Sequence, residues 1–134
     1  MNITKRKVLS ITTPIIILAI CFVVLFFYCV PNGDAVKNTM ENDDFIALTD
    51  VTDSTPILGL LLPDGANRSL TFTKNVNLNF DTVIVIYFDD YKSLKSYKDN
   101  LEPSDGDIAL SRGKALFMGS EDATKSIRWK VWAF

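Results

Sequence analysis

Hydrophobic positions fall into one long block near the start of the chain and a series of short periodic runs after it. From Val8 to Val30 almost every side chain is apolar, and no charged residue occurs between Val8 and Gly33. As a helix at about 1.5 Å per residue, this block would reach about 34 Å, enough to cross a bilayer core of about 30 Å. Lys5, Arg6 and Lys7 precede it and Asp34 is the first charge after it. The positive-inside rule therefore predicts a cytoplasmic tail over 1–7, a signal-anchor span over 8–30 and the remainder outside the cell membrane. The polar stretch 31–43, with Pro31 and Gly33, reads as a linker.

Residues 44–134 carry the shorter periods. Phe45 to Thr49 suggests a first strand. Ile57 to Leu62, bracketed by Pro56 and Pro63, suggests a buried strand followed by a turn at Pro63-Asp64-Gly65. Leu70, Phe72, Val76, Leu78 and Phe80 alternate with polar residues, the period of a half-buried strand. Lys74 and Asn75 break that period and suggest the hairpin turn. Val83 to Phe88 is apolar on both faces and rich in β-branched residues, as a central strand covered on both sides should be.

Tyr91, Leu94, Tyr97 and Leu101 mark one face of a helix that Pro103 stops. Ile108 to Leu110 and Lys114 to Met118 predict two strands around a turn at Ser111-Arg112-Gly113. Ser120 is placed to cap a second helix from Glu121, and Ile127, Trp129, Val131 and Ala133 alternate as a terminal strand would. The expected fold class is α+β: a transmembrane helix, then a small extracytoplasmic domain of one mainly antiparallel sheet and two helices.

Composition narrows the function. Of 14 Lys and Arg, three precede the apolar block, while all 16 Asp and Glu follow it, so the outer part is acidic. That balance argues against a nucleic-acid partner. Both cysteines, Cys21 and Cys29, lie in the apolar block, so the outer domain has no disulfide. An exported domain without Cys, with more Lys than Arg, resembles in composition the secreted proteins of AT-rich Gram-positive bacteria. The chain has no His, which removes Ser-His-Asp and Cys-His catalysis and any imidazole metal ligand. Cleavage after Ala35 is the alternative to an anchor, although the apolar block exceeds the usual signal-peptide length.

Several residues are candidates for chemistry. Asp89 and Asp90 end the central strand, where carboxylates can hold Mg²⁺, but the favoured reading is that one of them caps the following helix. Ser111 and Lys114 fit S-x-x-K without its partner motifs. Asp105, Asp107 and Glu102 form an acidic loop lacking the calcium-loop pattern. Lys92, Lys95 and Lys98 recur along the first helix, and Asn67-Arg68-Ser69 matches a glycosylation sequon. Trp129, Trp132 and Phe134 concentrate aromatic surface at the C-terminus and are the expected partner-binding residues.

The expectation is a single-pass envelope protein that contacts the bilayer through 8–30. Its outer domain is a non-catalytic binding, sensing or accessory module, with a larger membrane protein as partner and no cofactor. The rival is a carboxylate enzyme holding a divalent cation on Asp89 and Asp90.

Overall fold

The computed structural model describes residues 3–28 and 30–130, with side chains described over 12–24 and 30–128. Among them, an α+β fold carries one antiparallel five-strand sheet and four α-helices. Helix α1 spans Ile3–Tyr28, with Pro14 inside it, and α2 spans Gly33–Asn42. Strand β1 (Ile46–Thr52) is followed by a 3-10 turn over Leu58–Leu61 and then by β2 (Ala66–Val76) and β3 (Asn79–Phe88). Helix α3 (Tyr91–Asp99), strands β4 (Asp107–Arg112) and β5 (Ala115–Ser120), and helix α4 (Glu121–Lys130) complete the order.

The strands lie in the order β1-β2-β3-β5-β4, so β3 is central, as its run of Val and Ile predicts. Val83, Val85 and Tyr87 face one way and pack with Val36, Met40, Leu70, Phe72, Phe117 and Ile127 beneath α2 and α4. Ile86 and Phe88 face the other way and pack with Leu94 and Leu116 beneath α3. The alternation within one strand thus serves two cores, which is why β3 has no polar face.

Five expectations are corrected. The stretch 31–43 is not a linker: 33–42 is helical, capped by the Asn32 side chain on Asp34 N at 2.9 Å, and Val36 and Met40 sit one turn apart in the main core. Ile57 to Leu62 is not a buried strand. β1 and β2 already pair directly through Thr52↔Arg68, which leaves the run between them outside the sheet with Ile57, Leu60 and Leu61 exposed.

The hairpin turn falls at Asn77-Leu78, not at Lys74-Asn75. Lys74 stays in the strand by holding Nζ over the Phe45 ring, 5.5 Å from its centroid, and donating from Nζ to the Asp43 carbonyl at 2.7 Å. Finally, the terminal segment is helical through Lys130, because Thr124 and Ile127 are buried at helical rather than strand spacing. Ser120 ends β5 and its hydroxyl has no hydrogen-bond partner, so it does not cap α4.

Of the span expected over 8–30, residues 8–28 lie in α1, one continuous helix, Cys29 lies outside the described residues and Val30 follows the helix. Among the described residues no helix is long and apolar enough to cross a membrane. The helical conformation is therefore observed, and passage through a bilayer is not.

Candidate functional site

Strand register gives the sheet two distinct ends. At one end lie the close of β1, the start of β2 and the close of β3, where Thr52 pairs with Arg68 and Arg68 with Tyr87. The chain leaving α1 arrives here: Val30 to Gly33 line a cleft of about 430 Å³ together with Asn67, Arg68 and Tyr87. The close of α4 is also here, with Arg112 Nη1 donating to the Arg128 carbonyl at 3.4 Å. We call this the proximal end. The opposite, distal end carries the Asn77-Leu78 turn, the start of β1 and the start of α4.

An ion cluster organises the proximal end. Arg68 donates from Nε and Nη2 to the two carboxylate oxygens of Asp50, each at 2.9 Å, the two-point geometry that planar guanidinium favours. The same Nη2 reaches Asp34 on α2 at 3.3 Å, and Lys37 Nζ reaches Asp50 at 3.3 Å. The Arg68 hydrogen bond, aided by Lys37 and opposed by partial burial, holds the Asp50 carboxyl below its ordinary range. Asp50 and, less strongly, Asp34 raise the Arg68 guanidinium against the opposing effect of burial. Beside the cluster, burial pushes the Tyr87 phenol up, and its hydroxyl has no hydrogen-bond partner.

Chemically, this cluster ties the first turn of helix α2 to strands β1 and β2, close to where the chain arrives from α1. It contains no nucleophile paired with a base. Sequence reading missed it because Asp34, Asp50 and Arg68 come from three separate elements, and no local spacing joins them.

The expected cation pair resolves into two separate roles. Asp90 caps α3, accepting from Ser93 N at 2.8 Å and Ser93 Oγ at 3.2 Å, and those bonds, the backbone one first, lower its pKa. Asp89 accepts from Asn67 Nδ2 at 2.8 Å, and its carbonyl accepts from Lys114 Nζ at 3.0 Å. Among the described residues no group of three His, Cys, Asp or Glu is placed to hold a metal ion.

The other candidates are dispersed. Ser111 lies in β4 and Lys114 in the turn before β5. Asp105 and Asp107 flank an exposed turn in which Asp107 N donates to the Ser104 carbonyl. Lys92 and Lys95 are solvated on α3 and Lys98 is partly covered. Comparison with known proteins returns no matching family model, no similar curated protein and no similar solved structure.

Outside α1, large apolar side chains are exposed on the edge strand β1, at Ile46 and Leu48, and at both ends of the sheet. Distally, Val76, Leu78 and Phe80 project from the hairpin, with Leu78 92% exposed and in the left-handed backbone region at φ 69°. Proximally, the 3-10 turn exposes Ile57, Leu58, Leu60 and Leu61. Of the expected partner-binding aromatics, Trp129 lies in α4 with its side chain outside the described residues. Trp132 and Phe134 lie outside them altogether.

Proposed function

We propose that the chain is a single-pass, membrane-anchored envelope protein whose outer domain is a non-catalytic binding or accessory module for a larger membrane protein. The observation that carries this reading is α1. Ile15, Ile16, Ile17, Leu18, Ile20 and Phe22 are all exposed, so the helix is apolar around its whole circumference and leaves that surface uncovered by the domain. A helix of this kind is stable when buried or in lipid, and the domain already has its own two cores. The three cations before residue 8 favour a cytoplasmic N-terminus and an outer domain beyond the cell membrane.

Retention of the anchor is favoured over cleavage after Ala35. That cut would sever α2 between Ala35 and Val36, removing the Asn32 cap and detaching Asp34 from Arg68. A non-catalytic role is favoured because Asp90 is engaged as a helix cap and the Arg68 cluster is closed upon itself. The distal hairpin is the surface best placed to meet a partner, since it stands away from the anchor and exposes Leu78 and Phe80.

The test is alkaline carbonate extraction of membranes carrying the full chain, followed by protease treatment of intact spheroplasts. The expected result is a protein that stays in the membrane pellet, loses its C-terminal domain to external protease and retains its original N-terminus. Extraction into the carbonate supernatant, or a mature N-terminus at Val36, refutes the anchor.

A further inference from the structure

We propose that the 3-10 turn over Leu58–Leu61 is a second membrane contact, a shallow apolar foot that docks the outer domain onto the bilayer holding α1. The inference rests on the anchor reading above and adds to it the orientation of the domain. Three independent features of the turn converge on lipid as its occupant.

The first is position. Gly59 packs so closely on the end of β1 that an added Cβ would lie 2.8 Å from both the Thr52 and Asp53 carbonyl oxygens. Asp53 N donates to the Asn67 carbonyl at 3.0 Å, and Asn67 lines the same cleft as Val30 to Gly33, where the chain leaves α1. The turn is thus fixed at the sheet end from which the anchor departs, and any bilayer holding α1 lies toward this end.

The second is chemistry. The residues from Ser54 to Pro63 carry no charge, and Ile57, Leu60 and Leu61 are 79%, 87% and 77% exposed. The apolar tip at the distal end lacks this purity, since only six residues separate Lys74 from Asp81 and three of them are asparagines, against ten uncharged residues between Asp53 and Asp64 here. Uncharged aliphatic surface of this kind suits the boundary between headgroups and acyl chains, where interfacial segments bury about 5–10 Å deep.

The third is the backbone. A segment entering lipid must satisfy its own polar groups. Leu58 N donates to the Pro56 carbonyl at 2.7 Å, Gly59 N to Thr55, Leu60 N to Ile57 and Leu62 N to Gly59. Pro56 and Pro63 on either side have no N–H to satisfy. Ile57 holds φ at 66°, a region that β-branched residues rarely enter, so the projecting shape is maintained against local preference. A loop selected only for solubility has no need of that strain.

The test uses the full chain with Cys21→Ala and Cys29→Ala, carrying either Leu60→Cys or Leu78→Cys labelled with bimane. It is reconstituted into phosphatidylcholine and phosphatidylglycerol vesicles with or without bromines near the headgroup end of the acyl chains. Both sites are exposed, so labelling leaves the fold intact. The expected result is quenching of the position-60 label by about twofold or more in brominated vesicles, with the position-78 label unaffected, as interfacial burial of one end requires. Vesicle flotation is read on the same samples. A chain that floats while its position-60 label escapes bromine overturns the foot and leaves the anchor standing. A blue-shifted but unquenched label also overturns it, in favour of a protein cover. A chain that does not float overturns both.

Discussion

Met40→Ala separates a structural helix from a tether. Met40 is fully buried in the main core with Val36, Phe45, Leu70 and Phe72, so truncation leaves a cavity in a packed cluster. A buried Met reduced to Ala costs about 2–5 kcal/mol, from lost transfer energy together with the cavity term. A domain of this size has about 5–15 kcal/mol in total, so the loss is a large fraction of it. With a urea dependence of about 1–3 kcal/mol per molar, the unfolding midpoint should fall by about 1–3 M. The neighbouring Glu41→Ala, on the exposed side of the same helix, should stay within about 0.5 kcal/mol of the parent. Pulse proteolysis of the full chain in mild detergent across a urea series measures both. It reports cleavage of the unfolded domain regardless of the state of α1. Equal midpoints for the two variants would refute the assignment of α2 to the core.

Gly119→Ala should prevent stable folding, since φ is 145° and a Cβ would collide with the Thr82 carbonyl on the paired strand; protease resistance of the domain reports it. Leu78→Gly should stabilise the domain by about 0.5–1 kcal/mol, because Asn-Gly suits a two-residue hairpin turn whereas leucine at φ 69° does not, and a lowered urea midpoint would contradict this. Asp50 has a depressed carboxyl pKa in the folded state, so its contribution is fully present above the unfolded value and is lost as pH falls through the folded one. Asp50→Asn should accordingly flatten the decline of stability below about pH 4, and an unchanged acid slope would remove the Arg68 clip from the account. Asp90→Ala should reduce amide protection in the first turn of α3, with Asp90→Asn retaining most of it, as hydrogen exchange at Ser93 can show.

What the sequence made legible was whatever depended on neighbours along the chain. β3 was readable from its β-branched run, α3 from one apolar stripe and an aspartate before it, and the β4–β5 hairpin from its glycine turn. The errors arose where a short pattern admitted two readings and distant residues decided between them. Val36 and Met40 are two apolar residues in a polar stretch, and only the presence of Leu70 and Phe72 opposite makes their spacing of four a buried helix face. Ile127 fits period two with Trp129 and period 3.6 with Thr124, and the core that receives Ile127 beside Val36, Met40 and Phe117 decides for the helix. Lys74 interrupts an apolar alternation, yet Phe45 and the Asp43 carbonyl accept it within the strand. The ion cluster was invisible for the same reason, since Asp34, Asp50 and Arg68 meet only after β1 and β2 pair.

The Ile57 to Leu62 run carries a different lesson. Proline at both ends and an apolar interior suggested a strand destined for the core, and the core was complete without it. Apolar residues that folding leaves outside are ordinarily removed from a surface or covered by something else. Here the chain does neither within itself: Gly59 secures the turn to Thr52 and Asp53, the N–H groups of Leu58, Gly59, Leu60 and Leu62 bond within the turn, and the leucines point outward. The Arg68 clip on α2 and the Gly59 contact on β1 act on the same strand end, one fixing where the chain from α1 enters and the other where the apolar turn stands. Breaking the clip with Asp34→Ala should therefore loosen the entry from α1 while the turn stays attached to β1. In the bromine assay, that variant should retain flotation and lose part of the position-60 quenching. Undiminished quenching would mean that the turn seeks lipid unaided and that the clip has no part in orienting the domain.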